Sequence, residues 1–313
     1  MSLKALIKVL ISITMLTLVF SLVEPREVIA TVGRIPLWCA LAVVGGYLVG
    51  QALSAYKWML LARSGKIEAT YPGTLKAYFI GMFVNCFGLG IIGGDVTRGV
   101  LLADGKPLKT QAIASVVADR AHGLAVLAVL GTLATALFGR STIDVHFVYL
   151  LVGIGLMLVL GWFIGPVILL KFVHAGNKLH DKAVQVAEVF PKTPSRIASI
   201  TFLSLLFHLL QIGLHWLMGI GLGVELSWAF LLLAVPFINI LSSLPISWNG
   251  LGVRETAYIF FFCNQSSYLS EEQAIAMGAL WLLAVTSSSA IGGIVAFLTK
   301  DFQLLRKQST ATS

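Results

Sequence analysis

The sequence predicts an all-α polytopic membrane protein built from two inverted-topology repeats, and three observations carry that reading. Of its 313 residues 58% are hydrophobic and only 12% charged, with a mean hydropathy of +0.91, whereas about a quarter of a soluble domain is charged. Several apolar runs reach the ~20 residues that a helix needs to cross a bilayer. Finally, two glycine-rich, charged stretches interrupt apolar runs at corresponding places in the two halves: Gly93-Gly94-Asp95-Val96-Thr97-Arg98 and Asn249-Gly250-Leu251-Gly252-Val253-Arg254-Glu255. Such paired breaks point to a transporter binding site.

Taken in order, Lys4 and Lys8 precede an apolar stretch from Val9 to Val23 that lacks a small-x-small cleavage pattern, so residues 1–23 read as an uncleaved first span. A short loop with Arg26 and Arg34 leads to a second span, about 36–61, and then to a basic loop holding Arg63, Lys66 and Lys76. The run from Lys76 to Ile92 is interrupted by Asn85, Gly88, Gly90, Gly93 and Gly94, and a short helix from Val96 to Ala103 returns after the Gly-Gly-Asp. This first hairpin is expected to dip into the membrane and leave on the same side. Irregular backbone at that depth is tolerated only inside protein or along a wet cavity.

A long helix over 109–138 carries Asp119-Arg120, and 147–170 forms another span. The polar segment 171–196 places Leu179, Ala183, Val186 and Ala187 on one helical face, the pattern of a helix lying on the membrane surface. The span 197–224 puts His208, Gln211 and His215 on one stripe. Residues 230–244 enter a second hairpin, Pro245 marks its break, and 258–263 lead back out. Glu271 and Glu272 open a last span ending near Lys300, and 301–313 is a polar tail. The expectation is one transmembrane domain of about six full spans plus two re-entrant or broken hairpins, eight or more membrane segments in all, with repeat one over 1–140 and repeat two over 147–300.

Charge sets the topology. With the N-terminus inside, seventeen basic residues fall on inside segments: Lys4, Lys8, Lys57, Arg63, Lys66, Lys76, Arg98, Lys106, Lys109, Lys171, Lys178, Lys182, Lys192, Arg196, Lys300, Arg306 and Lys307. Only three, Arg26, Arg34 and Arg140, fall outside. The positive-inside rule then expects a cytoplasmic (inner) membrane protein with both termini cytoplasmic. In that scheme the first hairpin opens inside and the second outside, and the two meet near the midplane. The net charge of +8 does not mark a nucleic-acid binder, because the basic residues are dispersed among loops and no binding motif accompanies them. Cys39, Cys86 and Cys263 stand far apart in apolar runs and form neither a disulfide framework nor a metal site.

Asp95, Arg98, Asp119, Arg120, Arg254 and Glu255 form three acid–base couples at membrane depth, where each charge costs about 2.5–3.5 kcal/mol on the insertion scale. They therefore face the protein interior and pair, or they bind something charged. In one reading the couples only neutralise each other and pin the hairpins. In the other, arginines at the hairpin tips receive an anionic headgroup, which a guanidinium fits bidentately. Helix N-termini freed after Gly94 and Gly250 would add donors, and Asn85 and Asn249 would complete the polar lining. The stripe of His208, Gln211 and His215 reads either as interhelical hydrogen bonding or as a proton relay. No metal or other cofactor is expected, and the absence of a Walker motif means that this protein does not hydrolyse ATP.

Three spaced blocks carry a resemblance: Gly93-Gly94-Asp95-x-x-Arg98, Ala114-Ser115-x-x-x-Asp119-Arg120-x-x-Gly123, and Pro245-x-x-x-x-Gly250-x-Gly252-x-Arg254-Glu255. Together they resemble the signature blocks of the lysylphosphatidylglycerol synthase/flippase transmembrane family, over nearly the whole chain. The resemblance implies a domain that moves lipids with polar headgroups across a bilayer, with a phospholipid or a prenyl-phosphate-linked intermediate as cargo. No soluble aminoacyltransferase segment is present in the sequence, so a stand-alone member is expected and the synthase activity is not carried over. Trp248-Asn249 before Gly250 are bulkier than the resemblance predicts. Two other functions compete. One is a scaffold for a membrane glycosyltransferase or lipid-modifying enzyme. The other is an enzyme acting on a lipid phosphate, with Asp95, Asp119 and Glu255 as acid–base groups.

Overall fold

The computed structural model describes residues 3–21, 23–88, 90–103, 108–139, 143–172 and 178–299. All regular elements among them are helical: α1 (Leu3–Ser21), α2 (Pro25–Arg34), α3 (Leu37–Ser64), α4 (Tyr71–Phe87), α5 (Gly90–Ala103), α6 (Lys109–Phe138), α7 (Val145–Phe172), α8 (Lys178–Val189), α9 (Pro194–Gly221), α10 (Trp228–Ser243), α11 (Val253–Tyr258) with a π-helical continuation Ile259–Asn264, and α12 (Glu271–Leu298). Among the described residues five helices are long and apolar enough to cross a membrane: α3, α6, the Val145–Gly165 part of α7, α9 and α12. The first predicted span contains the shorter apolar helix segment Leu10–Ser21. Lys106, Arg140, Lys300 and the predicted tail lie outside the described residues.

The protein divides into two compact units, each drawing on both halves of the sequence. Unit one comprises Met1–Gly50, Ala121–Gly165 and Thr201–Ala284; unit two comprises Gln51–Arg120, Pro166–Ile200 and Val285–Ser313. The first predicted hairpin belongs to unit two and the second to unit one.

In unit two, α4 starts earlier than predicted because Thr70 caps it, its hydroxyl accepting from the Gly73 amide at 3.4 Å. The backbone turns at Gly88, and α5 then runs through Gly93-Gly94-Asp95 without a break. Gly94 thus serves contact, and no helix N-terminus is freed after it. A Cβ on Gly94 would collide with the Gly81 carbonyl oxygen and the Asn85 side chain, and one on Gly81 would lie 2.9 Å from the Gly94 oxygen. Missing side chains let two helices touch backbone to backbone, as small residues do throughout membrane proteins. The same device recurs where α12 crosses α4: a Cβ on Gly292 would collide with the Phe79 carbonyl.

The predicted surface helix is α8, and of its predicted face Ala183 and Val186 meet protein, while the Leu179 side chain lies outside the described residues. Val189 is buried in one cluster with Leu61, Ala114, Ala118 and Ile200, with Val186 and Phe190 packed on it, and Ala183 is buried as well. The charge count changes too. Lys57 and Arg98, both assigned to inside segments by their sequence position, are buried in helices at 5% and 4% exposure.

In unit one, the loop predicted around Arg26 and Arg34 is the helix α2. Pro25 opens it, Glu27 stands in its first turn and Arg34 in its last, an arrangement that suits the helix dipole at both ends. The helix α10 carries Pro236 in its interior and is buried over Phe230–Ile238 except at the half-buried Leu232. Room for it comes from Gly131 of α6, where a Cβ would sit 2.9 Å from Pro236. Beyond α10 the backbone is irregular, with positive φ at Asn249 (53°), Gly250 (78°) and Gly252 (81°). Here the predicted break is real. The helix α1 holds it: the Trp248 amide donates to Ser12 Oγ at 2.7 Å, and a Cβ on Gly252 would lie 2.5 Å from that of Met15.

Candidate functional site

The charged residues of unit two form one row across α3, α5 and α6. Arg98 of α5 lies with its guanidinium carbon 5.0 Å from the Trp58 ring centroid and 4.9 Å from that of Tyr78. Hydrogen bonds fix both rings, from Trp58 Nε1 to Ser115 Oγ at 3.0 Å and from Tyr78 Oη to Ser54 Oγ at 3.0 Å. Arg98 Nη2 donates to Asp119 Oδ2 at 3.2 Å, and its Nε lies 3.4 Å from Asp95 Oδ1. The other Asp119 oxygen meets Lys57 Nζ at 3.0 Å. Asp95 in turn accepts from both Nε and Nη2 of Arg120 at 3.0 Å, a bidentate pair.

The row reads Lys57, Asp119, Arg98, Asp95, Arg120, alternating in sign. It contains three cations and two carboxylates, so it carries a surplus of one positive charge. Its Lys57 end is closed and its Arg120 end open, with side-chain exposures of 6% and 45%. Burying an ion costs several kcal/mol unless a partner of opposite charge compensates it. Every charge in the row has such a partner, and the surplus falls where the row opens.

Of the sequence-adjacent couples only Asp95–Arg98 forms an ion pair among the described residues. Neighbouring helical residues project about 100° apart, since a turn takes 3.6 residues. Asp119 and Arg120 therefore reach in different directions, Asp119 to Lys57 and Arg98, Arg120 to Asp95. Asp95 and Arg98, three residues apart, do approach, yet each has a closer partner. The site residue that the sequence reading missed is Lys57. It sits two turns from the end of an apolar helix and so resembles a loop-flanking cation; the usable signal was a charge inside a predicted span.

In unit one the predicted couple also separates. Glu255 is buried and turns back on the helix start, accepting from the Gly252 amide at 2.7 Å. One of the backbone donors expected from the break at Gly250 is thereby taken. Gly278 makes room for this carboxylate, a Cβ there falling 3.1 Å from Glu255 Oε1. Arg254 is half-buried and meets neutral groups: its Nη1 donates to Asn239 Oδ1 at 3.3 Å, and its guanidinium carbon lies 5.2 Å from the Trp281 ring centroid. Among the described residues it forms no ion pair. Asn249 contributes the left-handed turn, and Asn85 in unit two presses its amide oxygen toward Gly94 with no hydrogen-bond partner among the described residues.

The histidines of the α9 stripe bond across helices. His208 Nε2 donates to the Gly123 carbonyl of α6 at 3.0 Å, because a carbonyl can only accept. His215 Nδ1 donates to the Gln211 carbonyl at 2.8 Å, and its Nε2 lies 2.8 Å from Tyr258 Oη. The Gln211 side chain is buried with its amide nitrogen unpartnered among the described residues. Two more polar residues extend the same face of α9: Thr201, bonded to His122 at 3.1 Å, and the buried Ser204.

A family model described as the lysylphosphatidylglycerol synthase TM region matches residues 5–297, which include both charged constellations. No curated protein and no solved structure matches the sequence.

Proposed function

Because the chain belongs to the lysylphosphatidylglycerol synthase transmembrane family, membrane domains linked to lipid handling, we propose that it is a flippase. Its cargo would be a lipid with a phosphate-containing headgroup, moved across the cytoplasmic membrane. The observation that carries this is the unbalanced charge row of unit two, with three cations against two carboxylates. A phosphodiester brings the single negative charge that would balance it, at the end where Arg120 is half exposed. A guanidinium donates to two phosphate oxygens as readily as to the two of Asp95. Arg254, which meets an amide and an indole and forms no ion pair among the described residues, is the second cation suited to an anionic headgroup.

The hydrocarbon tails remain in lipid throughout, so only the headgroup needs protein contacts. Movement would follow from alternating exposure of the headgroup site as one inverted repeat rocks against the other, with both termini on the cytoplasmic side. The test uses the purified protein in vesicles containing headgroup-labelled phosphatidylglycerol and an impermeant quencher. Inner-leaflet label becoming accessible supports the proposal. Label protected as fully as in protein-free vesicles overturns it.

A further inference from the structure

Arg254 and Tyr258 are four residues apart on α11 and so share a face, and on that face they meet His215 of α9 and Trp281 of α12. The Tyr258 hydroxyl is 2.8 Å from His215 Nε2, the His215 and Trp281 ring centroids are 4.7 Å apart, and Arg254 lies 5.2 Å from the same indole. Both His215 and Tyr258 are fully buried. Nothing in the headgroup reading requires a buried imidazole–phenol pair beside an arginine that forms no ion pair among the described residues.

The hydrogen bonds of His215 leave one place for a proton. Its Nδ1 must carry hydrogen, because it donates to the Gln211 carbonyl. In the neutral ring Nε2 therefore accepts from the Tyr258 O–H. A proton arriving at Nε2 reverses that bond: the Tyr258 oxygen accepts, its own hydrogen turns away from the imidazole, and the Nδ1 bond to Gln211 is kept. Just past Tyr258 the backbone is π-helical over Ile259–Asn264, an irregularity common at functional sites. Among the described residues the titratable and charged groups nearest His215 are Tyr258, which it bonds, Arg254 and Tyr47 on the Trp281 ring that His215 also meets, Glu255 next to Arg254, and His208 two turns away on its own helix. Of these the Glu255 carboxylate already serves the Gly252 amide.

We propose that His215 Nε2 is the proton-coupling site of transport, at which a proton and an anionic headgroup on Arg254 are bound together. The inference rests on the headgroup reading above and adds its energy source. A proton on His215 places a second positive charge beside Arg254, and an anion there is held more tightly. By linkage the anion raises proton affinity equally. The pair then crosses with its charges balanced, and the proton is released to water on the far side.

The experiment uses vesicles of headgroup-labelled phosphatidylglycerol with an imposed gradient of about 1 pH unit, which tight one-to-one coupling converts into up to ~10-fold label asymmetry. Wild type is expected to accumulate label in the leaflet facing the alkaline side, and His215→Gln to lose that accumulation. Tyr258→Phe preserves the ring packing and is expected to move the pH of half-maximal rate. If His215→Gln elutes aggregated, that pH shift decides instead, and an unmoved profile overturns the proposal. Wild type that moves label to equal leaflets whatever the gradient also overturns it, leaving the flippase reading intact. No movement in any vesicle overturns the flippase reading, and the coupling falls with it.

Discussion

Asp119→Asn removes the carboxylate that faces both Lys57 at 3.0 Å and Arg98 at 3.2 Å. Arg98 keeps Asp95, but Lys57 loses its only ion-pair partner among the described residues while remaining 5% exposed. Stranding one member of a buried pair costs about 3–5 kcal/mol. For a protein of this length a loss of 1 kcal/mol lowers the melting temperature by ~2 °C, so the variant should melt ~6–10 °C below wild type. The assay is loss of the monodisperse gel-filtration peak after heating in detergent. Lys57→Gln combined with Asp119→Asn removes both charges and should lose less than the sum of the single variants, with a coupling energy of about 0.5–3 kcal/mol across the double-mutant cycle. The double variant retains Arg98, Arg120 and Asp95, and therefore the surplus of one positive charge, so lipid movement should survive. A single variant that melts with wild type would refute the buried-pair account, and additive losses in the double variant would refute the coupling.

Three other outcomes follow from the packing and the charge distribution. Gly94→Val forces a branched side chain against the Gly81 carbonyl and Asn85; a loss of about 1–3 kcal/mol is expected, read as a lower melting temperature. Ser12→Ala leaves the Trp248 amide without the acceptor it has at 2.7 Å, which costs about 1–3 kcal/mol and should expose the second break to limited proteolysis; an unchanged digestion pattern would show that α1 does not hold it. A cysteine at Lys192, an exposed loop position, in a protein lacking Cys39, Cys86 and Cys263 should resist impermeant maleimide in intact cells, and external labelling would invert the charge-based topology.

The long helices were legible because crossing a bilayer demands an uninterrupted apolar run, and α3, α6, α7, α9 and α12 each supply one. The second break was equally legible, since Asn249, Gly250 and Gly252 adopt the positive φ that such residues suit. The first was misplaced by a few residues. Glycines permit a break and also permit close helix contact, and only the partner, Gly81, shows that Gly94 does the second. The α2 helix was readable from Pro25, Glu27 and Arg34 but lay hidden behind its charge, which resembles a loop. The sequence named Asp95, Arg98, Asp119 and Arg120, whereas of their pairings it named only Asp95 with Arg98. Pairing depends on helix phase and on residues remote in sequence, as with Lys57 and Asp119, and adjacency in sequence carries neither. The apolar side of α8 suited lipid and protein alike, and the difference lay in the distant Leu61, Ala114, Ala118 and Ile200.

The most direct test of the central claim is the rate of headgroup translocation for Arg120→Lys and Arg254→Lys in phosphatidylglycerol vesicles. Each substitution keeps the positive charge and removes the planar fork. Losing one charge-assisted hydrogen bond, about 1.5–3 kcal/mol, should slow translocation roughly tenfold or more while the melting temperature stays near wild type. Well-folded variants that translocate at the wild-type rate would show that these arginines serve the fold alone and do not receive the headgroup.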